Sequence, residues 1–465
     1  MNSNRRDFLK KTCIAGAGIA ILPKFVNAQA FSPSLELGST YMGDYAAPKL
    51  ETVRCAFIGV GARGSGHATR VASIEGTEIV AICDLYEDLA EKSAEKCSEK
   101  GGENRHKNIE IYTGGENEWK KMLKKIKPDI VFISTPWKTH APMAIKTMKS
   151  GAHAFVEVPI ALTIEEMWDI VDTSEKTQKH CMMMENVNYG REELLYLNLC
   201  RKGIIGDLLH GEAAYIHELR FQMNEVERGT GSWRTDHYSK RNGNLYPTHG
   251  LGPIAQYMSL GRGEDNFERI VSMSSPGKGR KLYAEKNFDK DHKWNQMDFN
   301  GGDINTSIIK TTLGRTIMVQ WDETSPRPYS RHNLIQGTNG TLAGFPTRIS
   351  LEGGVEGITD SHHQWAQGDQ LDAFFEKHEH PLYKRLGEIS KKNGGHGGMD
   401  YMMTYRIIEC LRNGLPLDQN VYEGCFWSAV GPLSEASIKE HGSSQKFPDF
   451  TRGNWKTTKP LDIIA

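Results

Sequence analysis

From residue 53 onward the chain alternates short apolar runs with amphipathic stretches. Residues 53–60, 78–83, 129–134, 153–156 and 180–184 are largely apolar, as strands buried on both faces require. Between them lie stretches of helical periodicity, among them 140–150 and 164–176. Strands alternating with helices predict an α/β Rossmann domain, a doubly wound parallel sheet with right-handed crossovers, over residues 51–186. After residue 186 the rhythm changes. Residues 270–273, 304–313 and 316–322 alternate in polarity and are joined by Gly-rich turns, which predicts a large, mainly antiparallel open sheet. Residues 366–440 read as helical again. Residues 187–465 are therefore expected to form an α+β substrate-binding domain with a helical C-terminal part.

The N-terminus follows another pattern. Asn4-Arg5-Arg6-Asp7-Phe8-Leu9-Lys10-Lys11 precedes a weakly apolar run and the small-residue exit Ala28-Gln29-Ala30. This is the layout of a cleavable export signal over residues 1–30. Its paired arginines resemble a twin-arginine signal, which exports proteins already folded and implies a periplasmic destination. Residues 31–50 carry Pro, Ser and Gly without periodicity and read as a linker.

Composition narrows the class. With 465 residues, 38% hydrophobic and 25% charged, the chain describes a soluble globular protein. A formal net charge of -1 leaves no electrostatic footprint for nucleic acid. No run after residue 30 approaches the ~20 apolar residues of a membrane helix. Cys55, Cys83, Cys97, Cys181, Cys200, Cys410 and Cys425 form no C-x-x-C. They read as free core thiols, and no metal site is expected. His378-Glu379-His380, in a charged run before Pro381, reads as a solvated loop.

The strongest chemical signal is Gly59-Val60-Gly61-Ala62-Arg63-Gly64. It matches G-x-G-x-x-G, with a strand before it, a helix after it and Asp84 at the end of the next strand. Gly59 allows the tight turn, Gly61 lets the backbone approach a pyrophosphate, and Gly64 lets the helix pack on the strand. The helix N-terminus offers free N–H groups and a positive dipole. Asp84 can accept hydrogen bonds from ribose hydroxyls and would repel a 2′-phosphate, so the cofactor is expected to be NAD. Thr135-Pro136-Trp137-Lys138-Thr139-His140 leaves the carboxyl end of the third clear strand, where ligands sit in doubly wound sheets.

With these residues in view, the chain resembles the Rossmann sugar dehydrogenases that include glucose-fructose oxidoreductase. Those carry a Glu-Lys-Pro tripeptide whose lysine takes part in proton transfer; here it reads Glu157-Val158-Pro159. A narrower resemblance fits the departure. G-V-G-A-R-G-S-G-H, P-W-K-T-H, E-V-P, E-N-V-N-Y, W-R-T, Y-P-T-H-G and R-P-Y-S-R, spread in order over residues 50–345, look like glycoside hydrolase family 109, the NAD-dependent α-N-acetylgalactosaminidases. The resemblance implies nucleotide contacts from Ala62, Arg63, Asp84, Trp137, Lys138, Thr139, His140, Glu157, Val158 and Asn186. It implies sugar contacts from Tyr215, Arg234, Tyr246, Pro247, Thr248, His249 and Tyr329. The substrate it implies is a small-molecule or glycan-terminal sugar. Related folds often dimerise through the open sheet face, so a homodimer is possible by analogy.

The route implied by the resemblance oxidises sugar carbon 3, eliminates across carbons 1 and 2, adds water and returns the hydride, an exception to two-carboxylate glycosidases. His249 is the expected base for the carbon-3 hydroxyl, since imidazole titrates near neutrality. Tyr246 is expected to join it in catalysis, with Tyr215 and Tyr329 as further candidates for proton transfer. Arg234 offers a fork of donors to a sugar hydroxyl or acetamido carbonyl. Two other readings compete: a sugar oxidoreductase with tightly held nucleotide, and a non-catalytic sugar-binding protein.

Overall fold

The computed structural model describes residues 38–101 and 105–461; the expected export signal lies outside them. Six parallel strands form the first sheet: β1 (Val53–Ile58), β2 (Thr77–Cys83), β3 (Glu110–Tyr112), β4 (Ile130–Ile133), β5 (His153–Val156) and β6 (Cys181–Met183), in the order β3-β2-β1-β4-β5-β6. The crossovers are α1 (Gly64–Ala72), α2 (Glu87–Gly101), α3 (Glu118–Ile126), α4 (His140–Lys149) and α5 (Ile164–Thr177). β4 and β5 are buried along their whole length, which is why their sequences carry no polar alternation. Phe57, Phe132 and Phe155 stack across β1, β4 and β5 with ring centroids 4.9 and 5.4 Å apart. The edge strand β3 escaped the sequence pattern because its three residues, Glu-Ile-Tyr, are only half-covered.

The second sheet has nine strands: β7 (Leu208–Ile216), β8 (Phe267–Ser274), β9 (Ile304–Thr311), β10 (Thr316–Asp322), β11 (Leu334–Gly337), β12 (Gly340–Ala343), β13 (Arg348–Leu351), β14 (Ala366–Gln367) and β15 (Gln445–Lys446). Their order is β14-β13-β12-β11-β7-β10-β9-β8-β15. It is antiparallel except that β10 runs parallel to β7, pairing Trp321 with Tyr215. Helices α6 (Arg191–Arg201), α7 (Thr230–Lys240) and α8 (Thr248–Tyr257) belong to this half. α8 lies directly on β7 because Gly250 has no side chain; a Cβ there would meet Ala214 N at 2.3 Å.

Two expectations need correction. Residues 38–50, expected as linker, are packed: Met42 and Ala47 are buried, Tyr41 stacks on Tyr422 at 4.9 Å, and Met42 N–H donates to the Tyr422 hydroxyl. Apolar side chains scattered without period found a partner surface far along the chain. Residues 378–380 are not a solvated loop. His380 is buried and accepts the Leu382 N–H that opens the helix Pro381–Asn393, and Glu379 pairs with Arg191. The helical C-terminal part packs on both sheets. Helix Met399–Asn413 packs on α1, and helix Val421–Lys439 packs on α5, β6 and β8. Among the described residues, all seven cysteines are free, and no helix is long and apolar enough to cross a membrane.

Candidate functional site

The glycine loop divides its labour among three residues. Gly59 has φ +82°, and a Cβ there would lie 2.7 Å from Ser134 O. Gly64 would place its Cβ 1.9 Å from Gly59 O, so only glycine lets α1 start this close to β1. Gly61 is different: a Cβ there would meet nothing within 4 Å. That open space, at the N-terminus of a helix, is what a pyrophosphate needs. Asp84 stands at the end of β2, where one oxygen accepts the Val60 N–H at 2.7 Å and the other the Tyr86 N–H at 3.0 Å. These residues fit a dinucleotide.

Glu157, beyond the end of β5, is buried beside this loop. Its Oε1 accepts from His67 Nε2 at 2.6 Å and from Arg63 Nε at 3.1 Å. Burial works against its charge, but Arg63 and His67 hold the carboxyl well below its ordinary range. Burial also lowers the His67 imidazole. The consistent state is a neutral His67 donating through Nε2 to an ionised Glu157. Val158 is buried, so no ammonium occupies that place. Asn186 opens the turn after β6 and donates to Asp400 Oδ1 at 2.7 Å.

The segment after β4 separates by role. Trp137 is buried and faces the second half of the chain, edge-on to Trp233, His237 and Tyr238 and 5.8 Å from the Tyr246 ring. Thr139 bonds locally to Thr135 and Pro136. His140 is fully buried between Pro159 O and Thr135 O, 2.7 and 2.8 Å away, and burial lowers its pKa. It joins two strand-end loops. Lys138 is exposed and takes no part in the aromatic cluster.

That cluster gathers around His249, the second residue of α8. Tyr246 and Tyr215 lie with ring centroids 5.0 and 5.3 Å from the His249 ring and 4.5 Å from each other. Tyr329 closes the group, 6.3 Å from Tyr215. His249 Nδ1 lies 2.6 Å from Glu185 Oε1, and the Glu185 side chain is fully buried. The acid fixes the tautomer with Nδ1 protonated, which leaves the Nε2 lone pair towards the Tyr246 hydroxyl at 3.5 Å. This is the arrangement of an oriented general base. Burial pushes the Tyr246 and Tyr215 phenols well above their ordinary value, so they are protonated donors at neutral pH. Arg234 lies over the Trp137 ring at 4.8 Å and near the Tyr246 ring at 5.5 Å, with Nε buried and without a hydrogen-bond partner. Pro247 caps α8, and Thr248 beside it carries a buried hydroxyl without a partner. Orphaned donors in an aromatic wall suit a polar ligand.

Four contributors were not singled out from the sequence. Glu185 stood in E-N-V-N-Y without a role. His217 accepts or donates at 2.9 Å to the Tyr215 hydroxyl. Arg331, the last residue of R-P-Y-S-R, donates to the Tyr329 hydroxyl at 2.9 Å and is itself held by Glu193 at 2.7 Å. Asp400 comes from a helix with no motif. For Glu185 and Arg331 the only signal was membership of a quoted motif; for Asp400 there was none.

Two family models divide the chain. The oxidoreductase family, NAD-binding Rossmann fold, matches residues 53–185. The model described as Glycosyl hydrolase 109, C-terminal domain, matches residues 189–457. Over 100% of its length the chain is 58% identical to Glycosyl hydrolase family 109 protein 1 of Akkermansia muciniphila, covering 99% of that protein. A Glycosyl hydrolase family 109 protein of Shewanella baltica is 54% identical with the same coverage. Among solved structures, levoglucosan dehydrogenase in complex with NADH and levoglucosan aligns with TM-score 0.64 at 17% identity, covering 86% of this chain and 100% of that one. An NAD binding oxidoreductase from Klebsiella pneumoniae aligns with TM-score 0.63 at 16% identity, covering 85% and 99%. At such identity the likeness is one of fold. The glycine loop, Asp84 and the matching domain model make NAD the cofactor of the first sheet.

Proposed function

The chain belongs to glycosyl hydrolase family 109, and from that premise we propose that it releases terminal α-N-acetylgalactosamine with NAD retained as a resident group. When bound, NAD supplies a reversible two-electron oxidation of a sugar hydroxyl. The chain's own residues supply the proton transfers. The observation that carries this reading is the Glu185–His249 pair aimed at Tyr246 and Tyr215, beside the Trp137 segment of the nucleotide domain.

In this reading His249 Nε2 takes the proton from the carbon-3 hydroxyl, and buried Glu185 stabilises the imidazolium that forms. Elimination across carbons 1 and 2 asks for a group that removes the carbon-2 proton and an acid that protonates the leaving oxygen. Tyr246 and Tyr215, held protonated, suit the acid, and Tyr329 completes the group of hydroxyls beside His249. Arg234 offers its unpartnered Nε–H to the acetamido carbonyl. A sugar oxidoreductase is the second reading, and buried Val158 in place of a lysine counts against it.

The test is to denature the purified protein and identify the released nucleotide, then to assay aryl α-N-acetylgalactosaminides without added cofactor. In heavy water the released sugar is expected to carry deuterium on carbon 2; a product without it overturns the elimination route. We also propose that Arg5 and Arg6 direct export of the folded protein. Replacing both with lysine is expected to leave it in the cytoplasm on fractionation. For the outer face of the second sheet, where Val271 pairs with Ile308 and both are exposed beside Met273, the proposed partner is a second copy. Met273→Lys should then shift sedimentation from dimer to monomer.

A further inference from the structure

Arg63 belongs to the glycine loop, yet its guanidinium is held by carboxylates from two distant segments. Glu157 takes Nε at 3.1 Å. Asp400 takes Nη1 at 3.0 Å and Nη2 at 3.2 Å in a two-pronged pair, the strong geometry for arginine and carboxylate. Asp400 is 1% exposed and also takes Arg70 Nη2 at 3.2 Å and Asn186 Nδ2 at 2.7 Å. One buried carboxylate thus joins the glycine loop, the next turns of α1, the turn after β6 and the start of helix Met399–Asn413. His396 Nδ1 sits in the same knot, 2.9 Å from Asp400 Oδ2 and 3.1 Å from Arg63 Nη1. The chain reaches it through glycines 394, 395, 397 and 398, all at positive φ. A Cβ on Gly395 would lie 2.6 Å from Asp400 Oδ2 and 2.8 Å from Arg70 Nη1, so the crossing is tight.

The charges also balance. Arg63 and Arg70 face Glu157 and Asp400, so Arg63 is not a spare cation for a pyrophosphate. It acts as a bolt between the loop and the C-terminal helix. The pyrophosphate donors are backbone N–H groups of that same loop, and opening the loop must break the buried pair. We propose that Asp400, with His396 beside it, is a latch on the nucleotide site: a positioning residue that holds the glycine loop through Arg63 and slows the release of NAD. This rests on the reading that NAD is resident.

The experiment compares wild type, Asp400→Asn and His396→Ala. Each protein is loaded with NADH and chased with excess NAD while bound NADH fluorescence is followed. Folded fraction is matched by circular dichroism and melting temperature. For Asp400→Asn, release is expected to be faster by at least about tenfold, the scale of breaking a buried charged pair. NAD per chain after gel filtration should fall, and turnover should return when NAD is added. A merely structural Asp400 would lower the melting temperature and leave the release rate of the folded protein unchanged, and that result overturns the latch. If Asp400→Asn does not fold, His396→Ala decides. Its side chain is 55% exposed, so folding should survive; release about threefold faster supports the latch, and an unchanged rate overturns it. Wild type purified empty would overturn the resident-NAD reading instead. The latch is then judged alone, on release after loading, where equal rates reject it.

Discussion

In the first sheet the strand, turn, helix and acid of the nucleotide site all lie between residues 53 and 84. The groups around His249 come from β6's exit (Glu185), β7 (Tyr215), α7 (Arg234), the approach to α8 (Tyr246) and the loop before β11 (Tyr329). The first site is a backbone device: glycines set its shape and N–H groups supply its donors. The second is a side-chain device, held by pairs such as Glu185–His249 and Arg331–Tyr329. A backbone device tolerates no added atom at its close contacts. A side-chain device tolerates folding around a substitution and loses only its chemistry.

That contrast can be broken most directly at His249. Its replacement by alanine should lower turnover by ~10²–10⁴-fold while NAD stays bound; loss of nucleotide along with turnover would erase the distinction between the sites. At the backbone device, Gly64→Ala should cost about 3 kcal/mol of stability by overpacking, read by urea unfolding, because its Cβ would meet Gly59 O at 1.9 Å. Glu185→Gln should lower turnover by about 10²-fold through misorientation of His249, with the melting temperature of the folded protein little changed.

Acid sharpens the comparison further. His153 at the start of β5 and His180 just before β6 pack at a tilt with ring centroids 5.0 Å apart, and burial lowers them from 6.5 to about 2 and about 4. The unfolded chain binds a proton on each near its ordinary value, whereas the folded chain does so only at much lower pH. Stability from this source is therefore present above pH 6.5 and is lost as pH falls below it, by roughly 2 kcal/mol per histidine at pH 5. Unfolding at pH 7 and pH 5 measures it, and His180→Gln should flatten the dependence. The smallest stability effect is expected at Gly61→Ala, within about 0.5 kcal/mol, since its Cβ would meet open space. NAD content should nevertheless fall; unchanged content would show that the space is not the nucleotide's.

Much of the first sheet was legible in the chain because buried parallel strands must be apolar throughout, and β5 was bounded correctly from that rule alone. The packed segment at 38–50 was not, because Met42 finds its partner on a helix 380 residues later. Tyr215, Tyr246, His249 and Tyr329 were named from a family resemblance and the structure brings them into one cluster. Lys138 was named on the same basis, as a nucleotide contact, and is exposed.

What the amino-acid order determined by itself was the nucleotide loop, since a turn, a helix start and an acid at fixed spacing need no distant partner. What only the tertiary structure decided was which carboxylate serves which cation. Glu185 finds His249, and Asp400 finds Arg63 across more than 330 residues of chain. The physical reason is that charge pairing depends on distance and burial in space, and separation along the chain says nothing about either.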